Sequence, residues 1–128
     1  MHNSEHLETI RRLNDTARSR PGMASIANVT IGFRSLPDVD RFSALAQIVS
    51  FMQFDGNNDP YGEHDFGAIY RLATGEWTQQ RPSDEKAIAA TVFWKLDYYD
   101  NTLTYGSDAP WDEQRTKRVL TIMLASEY

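Results

Sequence analysis

The sequence predicts an α+β fold in which a small, mainly antiparallel sheet of about four strands carries helices on one face, in the order α-β-α-β-β-β-α. Two patterns indicate this class. Segments whose apolar residues recur at helical spacing alternate with segments in which every second residue is apolar, and the order lacks the regular βαβ succession of a parallel sheet. The chain has 128 residues, 41% of them hydrophobic, which is enough for one core. We therefore expect a single domain spanning 1–128.

The first two predicted elements are a helix and a strand. Apolar residues recur at helical spacing between Ser4 and Ala17, and the pattern stops at Pro21 and Gly22. We expect this helix, within residues 1–22, to be loosely attached to the rest of the domain. Apolar and polar residues then alternate over 26–33, which indicates a strand.

The most regular helical pattern follows that strand. Ser35, Pro37 and Asp38 form a helix-start signal, because a hydroxyl can cap the first turn, proline fits there, and a carboxylate favours the positive end of the helix dipole. One apolar stripe then continues to about Phe54 and consists of Val39, Phe42, Leu45, Ala46, Val49 and Met52. Residues 55–64 are rich in turn-forming residues, so we expect a loop there.

Three strands are predicted in the second half of the chain. Alternation from Phe66 to Leu72 indicates the first of them, and a Thr-Gly pair ends it. After a polar connection, residues 91–99 read TVFWKLDYY and predict the second strand. Asp100 and Asn101 have the composition of a two-residue hairpin turn, which would lead into the third strand over 102–105.

The register of this hairpin follows from its turn. Tyr99 would face Thr102, and Leu96 would face Tyr105. One face of the sheet would then carry an apolar set consisting of Trp94, Leu96, Tyr98, Leu103 and Tyr105. The last segment, 114–128, is predicted to be a helix, and a strand is the open alternative because its apolar residues also alternate.

The net charge of −5 is unevenly distributed along the chain. Residues 38–113 hold fourteen acidic and five basic side chains, a charge of −9, and both ends are slightly basic. Two segments, 55–65 and 97–113, contain no Lys or Arg. Phosphate backbones need basic side chains, so this surface argues against direct nucleic-acid binding and suits a basic partner or a cation.

Other function classes are excluded by what the sequence lacks. There is no cysteine, so neither a disulfide framework nor a thiolate metal site is expected. No apolar run approaches the roughly 18 residues of a membrane span. Gly-rich phosphate loops and the usual hydrolase motifs are also missing. We expect a cytoplasmic protein.

Four blocks of the sequence stand out together: NDPYGEHDFG (58–67), FWKLDYYD (93–100), YGS (105–107) and RVLTIMLASEY (118–128). In this order they resemble the uncharacterised bacterial family called domain of unknown function 3768. The resemblance covers the chain from Ile10 onward, and it implies no activity, because the family has no established chemistry. It does imply a setting on plasmids and other mobile regions of alphaproteobacteria. The connection 74–90 looks longer than the family's usual hairpin.

The strand pairing predicts one candidate site. If the strand that begins at Phe66 runs antiparallel to the strand that ends at Tyr99, the two acidic segments meet at one end of the sheet. The side chains expected to converge there are Asp59, Glu63, His64, Asp65, Asp97 and Asp100, with Lys95 close to Asp97. The structural alternative is that Asp59 and Asp65 cap turns, that His64 is a hydrogen-bonded structural residue, and that Lys95 pairs with Asp97.

The first functional hypothesis is a non-catalytic accessory protein that binds a basic protein surface and needs no cofactor. In the setting that the resemblance implies, the expected partner is a host nucleic-acid-binding or defence complex that a mobile-element protein would antagonise. Tyr99 and Trp111 are the aromatic residues expected to be exposed, and exposed aromatics often anchor interfaces. The partner-binding residues would be Asp59, Glu63, Asp65, Asp97, Asp100, Tyr99 and Trp111.

The second hypothesis is a small metal-dependent hydrolase. Carboxylates and one imidazole suit a divalent metal and acid-base chemistry. Its metal ligands would be Glu63, His64, Asp65 and Asp97, and its catalytic residues His64, Asp65, Lys95 and Asp97. An antitoxin-like or structural partner of a neighbouring gene product is a third possibility.

Overall fold

Five strands form one sheet in the computed structural model, which describes residues 4–128. They are β1 (Ile26–Val29), β2 (Phe66–Leu72), β3 (Trp77–Thr78), β4 (Ile88–Tyr99) and β5 (Lys117–Leu124). Their order across the sheet is β1-β5-β4-β2-β3. β1 runs parallel to β5, and all other neighbours are antiparallel. The α+β class is thus confirmed, but the sheet is mixed and has five strands.

Helices cover one face of this sheet. They are α1 (Ser4–Ser19), the single-turn α2 (Ile31–Arg34) and α3 (Asp38–Val49), and two short 3-10 turns lie at Glu85–Ala87 and Ala125–Glu127. Ala17, Phe33 and Ile48 of the helices share one buried cluster with alternate residues of the central strands, such as Trp94 and Leu120. Within residues 4–128, no helix is long and apolar enough to span a membrane.

Helix α1 contributes directly to the interior. Ile10, Asn14 and Ala17 are completely buried, in a segment for which the sequence suggested loose attachment. Residues 1–3 of that segment lie outside the described residues. The apolar stripe of α1 is narrow. Ile10, Asn14 and Ala17 nevertheless face the sheet together, because positions i, i+4 and i+7 lie on one side of a helix.

The strand predicted over 26–33 is wrong beyond Val29. Thr30 instead caps α2, because its Oγ1 accepts a hydrogen bond from the main-chain N–H of Phe33 at 3.4 Å. The Phe33 side chain still reaches the core. Glu127 holds the turn from outside, since its carboxylate accepts hydrogen bonds from the Thr30 hydroxyl at 2.5 Å and from Gly32 N at 2.9 Å.

Helix α3 lies at its predicted place, but it ends at Val49 and buries a different face. Val39, Phe42 and Met52 of the predicted stripe are 70%, 73% and 77% exposed, whereas Ala44 and Ile48 are fully buried. Asp40, one turn before Ala44, explains this rotation. Its carboxylate accepts hydrogen bonds from Arg71 Nε on β2 at 3.1 Å and from Trp77 Nε1 on β3 at 3.0 Å. The side of α3 that carries Asp40 therefore faces the sheet.

The hairpin predicted at Asp100 is also wrong. Residues 100–105 form a loop in which the Asp100 carboxylate accepts hydrogen bonds from the main-chain N–H groups of Thr102 and Thr104, both at 3.1 Å. Leu103 has a positive φ of 60°, and Tyr105 is exposed instead of facing Leu96. Residues 105–107 still return beside the end of β4, where Asp100 N donates to Tyr105 O at 2.8 Å, but a loop capped by the Asp100 side chain replaces the predicted two-residue turn and the strand 102–105.

On the side of β4 opposite β2, the neighbouring strand is β5, the segment for which a helix was predicted. Leu120 lies opposite Leu96, and Ile122 lies opposite Trp94. Because β1 pairs on the other side, β5 is an interior strand, and consecutive residues from Leu120 to Met123 are buried. The strand alternative is therefore confirmed. Apolar residues on both faces of an interior strand obscure the period of two on which a strand prediction relies.

Candidate functional site

The antiparallel pairing of β2 with β4 brings the two acidic segments together, as predicted. Phe66 lies opposite Lys95, and Leu96 N donates a hydrogen bond to the main-chain oxygen of Asp65 at 2.9 Å. The loop 55–65 therefore ends beside the last residues of β4. This arrangement sets the positions of all the candidate side chains.

Four carboxyl groups lie near this junction, and we call them the acidic cluster: Asp59, Glu63, Asp65 and Asp97. Asp65 is the central member. Burial raises its pKa to about 6, and the neighbouring carboxylates of Glu63, Asp59 and Asp97 add to the increase. Within residues 4–128, Asp65 has no Lys, Arg or His side chain within ion-pair distance, unlike Asp97, which pairs with Lys95.

Glu63 and Asp97 occupy opposite kinds of environment within the cluster. Glu63 is buried and accepts a hydrogen bond from the Tyr98 hydroxyl at 2.6 Å. Burial and this bond raise the pKa of Tyr98 well above its ordinary value. Asp97 is partly exposed and lies 2.9 Å from Lys95 Nζ, and its hydrogen bond raises the pKa of Lys95. Lys95 thus pairs with Asp97.

His64 lies between helix α1 and the acidic cluster, because its Nε2 lies 3.8 Å from Asp59 Oδ2. Its Nδ1 lies 2.9 Å from Asp15 Oδ1, and its ring stacks on Phe54 with 3.7 Å between centroids. Asp59 caps the turn, because its Oδ1 accepts a hydrogen bond from His64 N at 3.0 Å. His64 also has a φ of 57°, a left-handed conformation that is uncommon for a residue other than glycine.

The predicted metal site is not assembled. Within residues 4–128, no three His, Asp or Glu side chains are grouped so that they could hold a metal ion. The set suggested for this purpose was Glu63, His64, Asp65 and Asp97. His64 is directed to Asp15, and Asp97 is paired with Lys95.

The remaining candidates lie away from the centre of the cluster. Asp100 is used by its own loop, where the hydrogen bonds from Thr102 and the following residues lower its pKa. Tyr99 and Trp111, expected to be exposed, are both half-buried. Trp111 stacks on His6 of α1 with 3.9 Å between ring centroids. Tyr99 and Trp111 are therefore partly packed against the rest of the protein and only partly available to a partner.

A buried polar network that was not predicted from the sequence holds the site in place. Asn14 Nδ2 donates to the main-chain oxygen of Glu63 at 2.9 Å and to the Tyr98 hydroxyl at 2.8 Å. Arg118 is buried and donates to Asn14 Oδ1 and to the main-chain oxygen of Pro110, both at 2.6 Å. The network joins α1, the loop, β4 and β5. An asparagine between Ile10 and Ala17 on an apolar helix face was the signal that could have revealed it.

A second missed feature is the buried Arg18. Its guanidinium lies over the rings of Phe54 and Trp94, at 5.5 and 5.3 Å from their centroids. It donates to the main-chain oxygen of Ile48 at 3.0 Å and forms an ion pair with Asp15 at 3.0 Å. Asp15 thereby connects Arg18 with His64. The loop 55–65 is thus tied to α1 by the contact of His64 with Asp15 as well as by the hydrogen bonds of Asn14 and Arg11.

Comparison with known proteins identifies one family. The sequence model of the family described as "Protein of unknown function (DUF3768)" matches residues 29–127. No curated protein and no solved structure matches the chain. The match begins at Val29, later than the expected start at Ile10, and it includes the whole acidic cluster. Since it covers most of the chain, this protein belongs to the DUF3768 family, whose function is unknown.

Proposed function

We propose that this protein is a non-catalytic binding protein whose acidic cluster docks on a basic surface of a protein partner. The observation that carries the proposal is the environment of Asp65, a half-buried carboxyl with three carboxylates near it and, within residues 4–128, no basic side chain at ion-pair distance. Ionised Asp65 is unfavourable there, as its raised pKa indicates. A Lys or Arg from a partner would relieve this cost, so the cluster is suited to a cationic group.

The wider charge distribution supports the same function. The cluster lies within the stretch 38–113, whose charge is −9. A basic surface that normally contacts phosphates would be complementary to it, with the carboxylates in place of the phosphates. We therefore propose a nucleic-acid-binding complex as the partner, in particular a host defence complex that targets nucleic acid, in keeping with the mobile-region setting that the family resemblance implies.

The geometry favours binding over the hydrolase hypothesis. A hydrolytic site needs an acid-base group or a metal-bound water directed at a substrate. Lys95 is paired with Asp97, and His64 lies between Asp15 and the ring of Phe54. These contacts hold His64 against α1 and Phe54, whereas Lys95 and Asp97 lie on β4. The proposed catalytic residues therefore do not share one environment.

A pull-down with matched variants tests the proposal. Asp65→Asn combined with Asp97→Asn removes two charges from the cluster, and Glu85→Gln combined with Asp108→Asn removes two exposed charges elsewhere. We expect the wild type and the control to retain the same proteins from a bacterial host lysate, with less retained as salt is raised, because exposed charges are screened over about 10 Å at 0.1 M salt.

The cluster variant is expected to lose these proteins, and purified partners should bind it at least about tenfold more weakly. Equal retention by the cluster variant and the wild type would contradict the proposal. Equal loss in both double variants would assign the binding to net charge and would also contradict a docking role for the cluster.

A further inference from the structure

A cleft of about 360 Å³ lies beside β2, where the first half of the loop 55–65 and the segment after β3 approach each other. Ala68 and the Tyr70 ring line its inner side. The rest of the lining comprises five side-chain amides together with an aromatic, an acidic and a basic residue: Gln53, Asn57, Asn58, Gln79, Gln80, Phe51, Asp55 and Arg81. The cleft is therefore mainly polar, and its one acidic and one basic residue balance in charge, in contrast to the acidic cluster.

Ala68, on the inner side of this cleft, belongs to an unpaired strand edge. β3 pairs with β2 only at Tyr70 and Arg71, so residues 66–69 have no neighbouring strand on that side. The bond from Leu96 N to Asp65 O sets which groups face β4, because in an antiparallel pair alternate residues bond to the partner strand. The main-chain N–H and C=O groups of Gly67 and Ile69 consequently face β4. The main-chain groups of Phe66 and Ala68 face the open edge, and no backbone partner for them occurs within residues 4–128.

The walls of the cleft are held open by hydrogen bonds of their own. Gln79 Oε1 accepts from Met52 N at 2.9 Å, and Gln79 Nε2 donates to Gln47 Oε1 at 3.1 Å. Asn58 Nδ2 donates to the main-chain oxygen of Gln53 at 2.7 Å. Because these bonds lie within the chain itself, the walls of the cleft are preorganised.

We propose that the cleft binds an extended peptide segment of another protein, which adds a strand to the free edge of β2. The main-chain N–H and C=O groups of Phe66 and Ala68 repeat at the spacing of alternate strand residues, about 7 Å, and the main chain of a second strand supplies complementary groups at that spacing. The surrounding amides favour a peptide with uncharged polar side chains. This site is independent of the acidic cluster and of the function proposed for it.

A selection experiment tests the inference with a defined probe. The immobilised full chain is offered a phage-displayed library of random linear peptides about twelve residues long, enough for one strand with its flanks. Selected peptides are synthesised, and their affinity is measured by fluorescence anisotropy. We expect enrichment of peptides rich in Ser, Thr, Asn and Gln, whose binding changes little with salt.

Two further measurements distinguish strand addition from other binding. Ala68→Pro removes the outward N–H but none of the bonds to β4, so the variant should fold and bind roughly tenfold more weakly. N-methylation of single peptide residues should abolish binding at every second position, because alternate amides of the added strand face β2. The methylation series needs no protein variant and decides the question if Ala68→Pro does not fold.

Three results would overturn the inference. They are the absence of any enriched peptide, equal binding by a folded Ala68→Pro variant, and an N-methylation series without a period of two. Peptides that lose binding to the Asp65→Asn, Asp97→Asn variant but not to Ala68→Pro would also overturn it, and they would place the bound peptide on the acidic cluster instead.

Discussion

Among single residues, Asp65 differs most from an ordinary carboxylate. Its pKa of about 6 lies above the usual 3.8 because it is partly buried beside other carboxylates. The folded protein therefore holds this proton more tightly than the unfolded chain does. It follows that the free energy of unfolding decreases as the pH rises from about 4 to about 6, and that the cost of ionising Asp65 remains in full above that range.

Asp65→Asn should therefore stabilise the protein at neutral pH. We expect the free energy of unfolding at pH 7 to rise by about 2 kcal/mol, because the amide keeps the shape of the side chain without its charge. Below pH 4 the variant and the wild type should have similar stability. Urea denaturation at several pH values measures both effects. Asp108→Asn is the control, since that carboxylate is exposed and paired with Arg115, and an Asp65→Asn variant no more stable than this control would disprove the assignment.

Single residues also explain what the sequence could reveal of the site. The meeting of Asp59, Glu63, Asp65 and Asp97 followed from one strand pairing that alternation predicted. The direction of His64 did not follow, because it depends on Asp15, which lies 49 positions away in the sequence. Contacts between distant positions leave no periodic trace in a single sequence. The same reason hid Asn14 and Arg118, which lie 104 positions apart.

Among the elements, β2 depends on one close approach. A Cβ atom added at Gly67 would lie 2.6 Å from Trp94 Nε1 and 2.7 Å from Phe51 Cζ. Both neighbours belong to the buried cluster. Glycine at this position lets Trp94 and Phe51 pack directly over the strand, and this brings the segment after α3 onto the sheet.

Gly67→Ala is expected to destabilise the protein by about 2 kcal/mol or more, because rigid rings in a packed core cannot move aside without strain. Gly56→Ala serves as the control, since nothing lies within 4 Å of a Cβ at that position. Chemical denaturation followed by tryptophan fluorescence measures the difference. If the two variants are equally stable, the packing over Gly67 is looser than described.

Elements were predictable where a local pattern decides the structure and unpredictable where a side chain overrides it. β2 and β4 alternate cleanly, and both were found in their expected antiparallel pairing. The face of α3 was mispredicted because Asp40, a charged residue, faces the sheet and bonds to Trp77. The loop after Tyr99 was mispredicted because the Asp100 carboxylate caps several N–H groups, a competition that turn propensity alone does not weigh.

At the scale of the whole molecule, α1 is part of the fold although it precedes the family match. Its buried Asn14 supplies the acceptor for Arg118 Nε, and its Arg18 covers the ring of Trp94. Without α1, the guanidinium of Arg118 and the core residues beneath the helix would lose their cover. A buried charge without a partner is among the most costly defects of a protein interior.

A chain that begins at Met23 should therefore lose cooperative folding. We expect a broad thermal transition and a weak near-ultraviolet circular dichroism signal from the aromatic residues, whereas the full chain should unfold in one sharp step. Arg12→Gln, at an exposed position of α1, is the control, and it should leave both properties unchanged. A sharp transition with a native near-ultraviolet spectrum in the shorter chain would show that α1 is dispensable.

The position of β5 in the sheet has a consequence for the synthesis of the protein. The strand that lies between β1 and β4 is the last strand of the chain, so β1 has no partner strand until residues 117–124 have left the ribosome. The pairing of β1 with β5 joins positions far apart in sequence, and such contacts slow folding because a long loop must close first. Until then the edge of β4 that pairs with β5 has no partner, and the five-stranded sheet is completed only after residue 124 has emerged.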